Sequence, residues 1–274
     1  MDFSTWHGRP AVPCVAGLVP APAGSGIVFR RTDLDNFEIP ATGRNVAKVS
    51  YETSLMRQSV LIQTTEHLLS ALIGCGVLTG VCSVFHTAKV RPGETVAVIG
   101  CGGVGLAAIN GAAIAGASRI IAVDMSKSKD NMARNFGATD FVCASETDAV
   151  KEVLEMTKGG VDHSFEAVGL SKTAEQAFGM IKRGGDANII GMIPIGQSVT
   201  VPGFAFLGEK KLQGSLMGSN HYPVDMPRLV DMYLAGKLKL DDMISRRIKL
   251  KDVNDAFDEM KTGQIARSVI VFDA

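Results

Sequence analysis

Three glycines and two sets of metal-type donors are the residues here whose types and spacing could do chemistry. "AVIGCGGVG" places Gly100, Gly102 and Gly105 in G-x-G-x-x-G spacing, after an apolar run and ahead of a helical pattern. Gly100 permits a tight turn there, and Gly102 lets bare main chain approach a pyrophosphate. Gly105 lets the helix lie close on the strand. The helix start offers free N–H groups and partial positive charge to phosphate oxygens. Asp124 ends the next apolar run, "RIIAVD", nineteen residues after Gly105. A carboxylate at that place can accept from both hydroxyls of an adenosine ribose and repels a 2′-phosphate, which favours NAD over NADP. The bland alternative is that Asp124 only caps the helix that follows it.

The second set lies in "TTEHLLSALIGCGVLTG", residues 64–80, with Glu66 and His67 at the head of an apolar run and Cys75 just past it. His and Cys are both zinc donors. In a continuous helix, eight residues span about 12 Å, whereas two donors on one zinc lie within about 4 Å of each other. Cys75 therefore reads as a small buried or half-buried thiol, and His67 as a capped or solvated helix residue. Glu66 reads as a first-turn carboxylate favoured by the helix dipole. His7, His86 and His163 stand isolated and read as structural or solvated. His221 and Asp225 in "NHYPVD" have the i, i+4 spacing of two donors on one helix face. Pro223 between them is expected to break that turn.

The elements that must position these residues alternate from about residue 90 onward. "TVAVIG", "RIIAVD", "TDFVCA", "VDHSFEAVG", "ANIIGMIP" and "KKLQGSLMG" read as strands. Helical patterns run from the glycine loop to Gly116, through "KSKDNMARNFG" to Gly137, and through "DAVKEVLEMTKGG", "KTAEQAFGMIKRGG" and "MPRLVDMYLAG". Strands alternating with helices of this length predict an α/β fold, a doubly wound parallel Rossmann sheet over about 75–240. Residues 241–274 are expected to form a strand–helix–strand tail. Residues 1–74 read as a partial α+β segment. It has an irregular Pro/Gly-rich start, short strands in "GIVFRR", "NVAKVS" and "SVLIQ", and a helix over 65–74 that Gly74 ends.

Composition narrows the function classes. The 274 residues are 46% hydrophobic, enough for a substantial core, and formal net charge is zero. That balance, with only 6% aromatic residues, gives no basis for a nucleic-acid or acidic-membrane partner. No uninterrupted run of about 18 apolar residues implies a membrane span. The five cysteines are odd in number and form no CxxC pair, so a reducing, cytoplasmic setting is expected. The N-terminus lacks the basic-then-apolar pattern of a secretion signal.

From about residue 74 to 274 the sequence resembles the C-terminal part of the zinc-type medium-chain alcohol dehydrogenases. "GCGVLTGVCSVFHTAKVRPGETVAVIGCGGVGLAAINGAAIAGASRIIAVD", "GGVDHSFEAVG", "NIIGMIP", "LQGSLMGS" and "ARSVIVF" follow in that family's order. The resemblance implies an NAD site. Gly100, Gly102, Gly103, Val104 and Gly105 would form the dinucleotide loop, and Asp124 and Lys129 would contact the adenosine ribose. Val168 would border that ribose. Ile190, Ser215 and Met217 would hold the nicotinamide carboxamide through main-chain atoms, and Arg267 would reach the pyrophosphate. Cys75 matches the last of three protein ligands to a catalytic zinc. The implied reaction is hydride transfer from an alcohol to give an aldehyde, in a chain that can form a homodimer through its nucleotide-domain sheet edge. The family's other zinc ligands, its cysteine-rich lobe and its hydroxyl–histidine relay have no match here. Cofactor binding with little turnover is therefore expected.

Residues 18–73 are similar to a different family, the zinc-dependent UDP-acyl-N-acetylglucosamine deacetylases of lipid A synthesis. "PAPAGSGIVFRRTDL", "EIPATGRNV" and "TTEHLLSALIG" carry that resemblance. It implies that Glu66 is a general base and His67 a zinc ligand. The change of family falls within "ALIGCGV". A deacetylase fragment and a non-catalytic NAD-binding fusion product are thus the alternatives to an impaired dehydrogenase.

Overall fold

The computed structural model describes residues 72–261 and 267–271. Glu66, His67, Cys14 and the strands expected before residue 72 lie outside the described residues.

A helical segment opens the described chain. Two π-helical turns, Ile73–Val77 and Ser83–Ala88, flank α1, Leu78–Cys82. Gly74 does not end a helix, contrary to expectation. Its φ is not left-handed, and the apolar side chains of Ile73, Val77, Leu78 and Val81 go on being buried past it. The turn that closes the segment comes at Lys89, with φ 58°.

Six parallel strands form the main sheet in the order β3-β2-β1-β4-β5-β6. They are β1 Thr95–Ile99, β2 Arg119–Asp124, β3 Asp140–Cys143, β4 Val161–Glu166, β5 Ile181–Ile189 and β6 Lys211–Gly214. The helices between them are α2 Gly103–Ala115, α3 Asp130–Asn135, α4 Ala149–Thr157 and α5 Ser171–Met180, with α6 Tyr222–Leu234 after β6. Strand order reverses between β1 and β4, so a crevice opens at the carboxyl ends of these two strands. The doubly wound α/β fold expected from the alternation of elements is present.

Period-two alternation divides each central strand between two cores. Val96, Val98, Ile120 and Ala122 join Leu106, Ile109, Leu229 and Val230 on one face. Ala97, Ile99, Ile121 and Val123 join Val153, Phe178 and Met180 on the other. Helices cover both faces, so the strands read as nearly unbroken apolar runs. Each large apolar side chain so buried contributes roughly 1.5–3 kcal/mol. The layer beneath α2 is thin because Gly80 of α1 touches it. A Cβ at Gly80 would press on Ala107 Cβ and on the backbone at Val104 and Ala108.

Two elements differ from their sequence reading. β5 begins at Ile181, so "IKRGG" belongs to the strand and not to α5. Ile181 pairs with Val161, after which the register shifts before His163 meets Asp186. Gly184, with φ +76°, lies in this irregular stretch. Pro223 does not break the His221–Asp225 turn. It occupies the first turn of α6, where its missing N–H needs no helical partner, and Asp225 N–H donates to His221 O at 2.9 Å.

The tail is a small parallel unit. β7 Arg246–Ile248 pairs with β8 Ser268–Ile270, and α7 Val253–Lys261 lies between them in sequence. Ser245 and Arg246 donate their N–H groups to Arg267 O at 2.9 and 3.3 Å.

Candidate functional site

The glycine loop joins β1 to α2 at the sheet's topological switch. Gly100 has φ +96°, which a side chain would strain, and it donates its N–H to Val123 O at 2.8 Å. Gly105 packs so closely that a Cβ there would run into Gly100 O, whereas a Cβ on Gly102 would meet open space. Gly102 is the N-cap of α2, with extended backbone and no side chain capping the helix start. The positive end of a 13-residue helix therefore faces the crevice.

Arg267 lies beside this uncapped end. Its guanidinium occupies the space that a Cβ on Gly103 or Gly76 would need. A cation beside a helix N-terminus is electrostatically unfavourable unless an anion lies between or against them. The two features together describe an anion cradle.

Asp124 closes the other side. Its Oδ2 accepts from Cys101 N–H at 2.7 Å and from Lys129 Nζ at 3.1 Å, and its Oδ1 accepts from Ser126 N–H at 3.0 Å. The carboxylate thus pins the loop after β1 to the loop after β2. It is not a cap on α3, whose N-cap, Lys129, has no side-chain cap. Burial, then the field of Asp124, pushes the neighbouring Cys101 thiol up to about 12, so it stays neutral.

Val168 sits opposite, against Gly100, where a Cβ would touch its Cγ2 at 2.7 Å. The loop carrying Val168 is held by Glu166, which is buried at the end of β4. Glu166 Oε1 accepts from Val168 N–H (2.9 Å), Gly169 N–H (2.7 Å) and Thr173 Oγ1 (2.7 Å). Glu166 Oε2 is buried without a hydrogen-bond partner. Ile190 donates its N–H to Glu166 O at 2.9 Å, and Ser215 N–H donates to Ile189 O at 2.9 Å. Ser215 Oγ is 2.7 Å from Thr87 Oγ1. Met217 is left-handed, with φ 51°, which turns the chain at this end of the sheet. The structure thus gathers Gly100, Gly102, Gly103, Val104, Gly105, Asp124, Lys129, Val168 and Arg267 around one crevice. Ile190, Ser215 and Met217 follow the carboxyl ends of β5 and β6.

Cys75 is exposed, not the buried or half-buried thiol expected. An open catalytic zinc needs three protein donors and a water. Among the described residues the group of three close donors is Cys82, His86 and Asp225, and it leaves Cys75 out. The described residues therefore fit a dinucleotide but do not fit a catalytic zinc at Cys75.

Three functional or structural clusters were missed in the sequence. Glu166 carries no local signal beyond its place at a strand end. His163 is not isolated but lies between Glu94 and Asp186, at 2.8 and 2.9 Å. His86 is not isolated either: its Nε2 stands 3.0 Å from Asp225 Oδ1. That distance is an ion pair's, yet His86 Nε2 makes no hydrogen bond.

A crevice at the switch point of a parallel sheet, an uncapped helix behind a glycine turn and a carboxylate at the second strand end define a dinucleotide-type fold. Comparison with known proteins makes this more specific. Residues 103–234 match the family described as zinc-binding dehydrogenase, and residues 10–85 match the UDP-3-O-acyl N-acetylglycosamine deacetylases. S-(hydroxymethyl)glutathione dehydrogenase of Synechocystis is 40% identical over 208 residues, 75% of this chain and 56% of that one. The structure of benzyl alcohol dehydrogenase from Acinetobacter calcoaceticus superposes with a TM-score of 0.74 at 28% identity, over 77% of this chain and 58% of that one. A zinc-binding dehydrogenase from Sinorhizobium meliloti, bound to NADP, has a TM-score of 0.64 at 28% identity, over 72% and 58% of the two chains. The chain is similar to zinc-type medium-chain alcohol dehydrogenases in sequence and fold, and its N-terminal segment is similar to the deacetylases. It spans about half the length of the curated relatives it matches.

Proposed function

We propose that this chain binds NAD in the crevice between β1 and β4 as an alcohol-dehydrogenase-like oxidoreductase with little turnover. The observation that carries the reading is Arg267, whose guanidinium lies against Gly103 at the uncapped start of α2. The loop from Gly100 to Gly105, Val104 included, would bind the pyrophosphate through main-chain N–H groups, with Arg267 supplying charge. Asp124 and Lys129 would orient the adenosine ribose, and Val168 would cover it. Main-chain groups of Ile190, Ser215 and Met217 would hold the carboxamide. A bound nicotinamide would supply the hydride acceptor for an alcohol carbon, with the hydroxyl proton passing to solvent, to give the aldehyde. Cys75 alone offers one donor, too few to hold a catalytic zinc.

Four described cysteines are free thiols, which supports a reducing, cytoplasmic setting. Among the described residues no helix is long and apolar enough to cross a membrane. Phe204, Leu207 and Leu216, all strongly exposed, flank the β6 edge and support a homodimer formed there.

Calorimetric titration with NAD and with NADP, paired with metal analysis of the same sample, tests the reading. NAD is expected to bind more tightly than NADP, and to raise the melting temperature as any ligand specific to the folded state does. No heat and no stabilisation with either dinucleotide would remove it. The match of residues 10–85 to deacetylases supports a second reading, with Glu66 as base and zinc on His67. Zinc-dependent deacetylation of an acylated amino sugar, abolished by Glu66→Ala, would favour that reading instead.

A further inference from the structure

We propose that Cys82, His86 and Asp225 form a binding site for a zinc-class divalent metal, separate from Cys75 and from the dinucleotide crevice. Their donor atoms all lie within 4.8 Å of one another. His86 follows Cys82 by four residues in the helical segment that opens the described chain, and Asp225 comes from the first turn of α6. A tetrahedral zinc with bonds of about 2.0–2.3 Å sets its donors roughly 3.3–3.8 Å apart. His86 and Asp225 stand at 3.0 Å and need to part by roughly half an ångström, while the thiol, within 4.8 Å of both, needs to move in by about 1 Å.

The surroundings fix the donors and leave a place for the ion. Asp225 is buried, and its Oδ2 is taken by His221 N–H at 2.6 Å, so Oδ1 is the oxygen presented to His86. His86 Nε2 is buried and makes no hydrogen bond. Its contact with Asp225 Oδ1 at 3.0 Å is not a hydrogen bond, and a metal would bridge the two donor atoms that already face each other. The thiol releases its proton to solvent on binding. Thiolate and carboxylate then balance a divalent charge, with imidazole neutral. A cleft of about 310 Å³, lined by His86, Ser219, His221, Val224, Asp225 and Arg228, opens beside the donors and can supply a water as fourth ligand. Arg228 competes from 3.5 Å, but its side chain is 62% exposed and free to swing into solvent. The mixed sulfur, nitrogen and oxygen set selects zinc or cobalt over calcium and magnesium, which prefer oxygen alone. The ion would tie α1 to α6 next to the Ser215–Ser219 turn.

Cobalt(II) titration of the full chain carrying Cys75→Ser tests the site. One equivalent is expected to bind with tetrahedral cobalt bands and thiolate-to-cobalt charge transfer. Cys82→Ser added to that background should abolish the charge transfer. His86→Gln, at a partly exposed position that leaves the core intact, should weaken binding by at least about tenfold. Charge transfer absent from the Cys75→Ser protein, retained after Cys82→Ser, or unaffected by His86→Gln would overturn the proposal.

Discussion

The guanidinium of Arg267 lies over Gly103, at the start of α2, where no side chain caps the helix. Two positive features facing each other repel weakly, and an anion between them turns the pair into a binding site. Arg267→Ala is therefore expected to weaken NAD binding by about ten- to hundredfold, the worth of one or two charge-assisted hydrogen bonds. Its melting temperature without ligand should stay near that of the parent protein. Calorimetry at two salt concentrations checks this, because the lost interaction is ionic and the variant should be less salt-sensitive.

Gly102 and Gly105 separate binding from folding. A Cβ at Gly102 meets open space, so Gly102→Ala should fold with a cost within about 1 kcal/mol, yet crowd the pyrophosphate and lose most affinity. A Cβ at Gly105 runs into Gly100 O, so Gly105→Ala should destabilise the protein by about 2 kcal/mol or more. Urea unfolding of both variants, with NAD titration of the Gly102 variant, reads the contrast. Equal stability of the two would show that the loop relaxes and that the close approach is not rigid.

How far this site can be read from sequence follows from the range of the forces involved. The loop, β2 and Asp124 are legible because they depend on one strand, one turn and one helix read in order. "RIIAVD" matches β2, Arg119–Asp124, residue for residue. The start of β5 is hidden in sequence because "IKRGG" continues the helical pattern of "KTAEQAFGM", and pairing of Ile181 with Val161 overrides it. Pro223 reads as a breaker in sequence because local pattern does not fix the helix start to within a residue, and its penalty vanishes in the first turn. Cys82 and His86 have a local i, i+4 spacing, but Asp225, like Glu94 and Asp186 around His163, comes from a distant element and carries no local signal. Glu166 carries no pattern at all; its role comes from the two N–H groups that the following loop turns toward it.

Asp124 is expected to set coenzyme preference. Its carboxylate is only 10% exposed and lies 3.1 Å from Lys129 Nζ. A 2′-phosphate would face that negative charge at close range. Asp124→Ser removes the repulsion and leaves Lys129 to pair with the phosphate. The ratio of NADP to NAD affinity should rise by at least about tenfold, or 1.4 kcal/mol. An unchanged ratio in competition binding would mean that the ribose is held elsewhere.

His163 should make stability depend on pH. Burial opposes its charge, but the Asp186 and Glu94 carboxylates outweigh burial and hold its pKa above the ordinary histidine value. Asn188 also faces the cluster, donating to Asp186 at 2.6 Å. A pKa raised by folding means that the folded state binds the proton more tightly than the unfolded one. The stabilisation is then complete below about pH 6.5, the unfolded value, and is lost as pH rises through the folded value. Urea unfolding across that range should show stability falling toward alkaline pH. His163→Gln should flatten the slope, and a slope unchanged in that variant would assign the effect to another group.

Glu166 is expected to link the stability of the fold to the shape of the crevice. One buried oxygen, Oε1, accepts from Val168 N–H, Gly169 N–H and Thr173 Oγ1. Glu166→Ala strands the Val168 and Gly169 N–H groups, whereas Thr173 Oγ1 keeps Leu170 O at 2.9 Å, and each buried donor left unpaired costs about 1–3 kcal/mol. Water entering the hole can recover part of this, so a net loss of about 3 kcal/mol is expected. The same change frees the loop that holds Val168 against Gly100, so NAD affinity should fall even where the variant is fully folded. Glu166→Gln keeps an acceptor at Oε1 and should lose less on both measures. Denaturant unfolding and NAD titration on the two variants decide the matter. If affinity is retained while stability drops, the Val168 loop is positioned by its other contacts and Glu166 serves the fold alone.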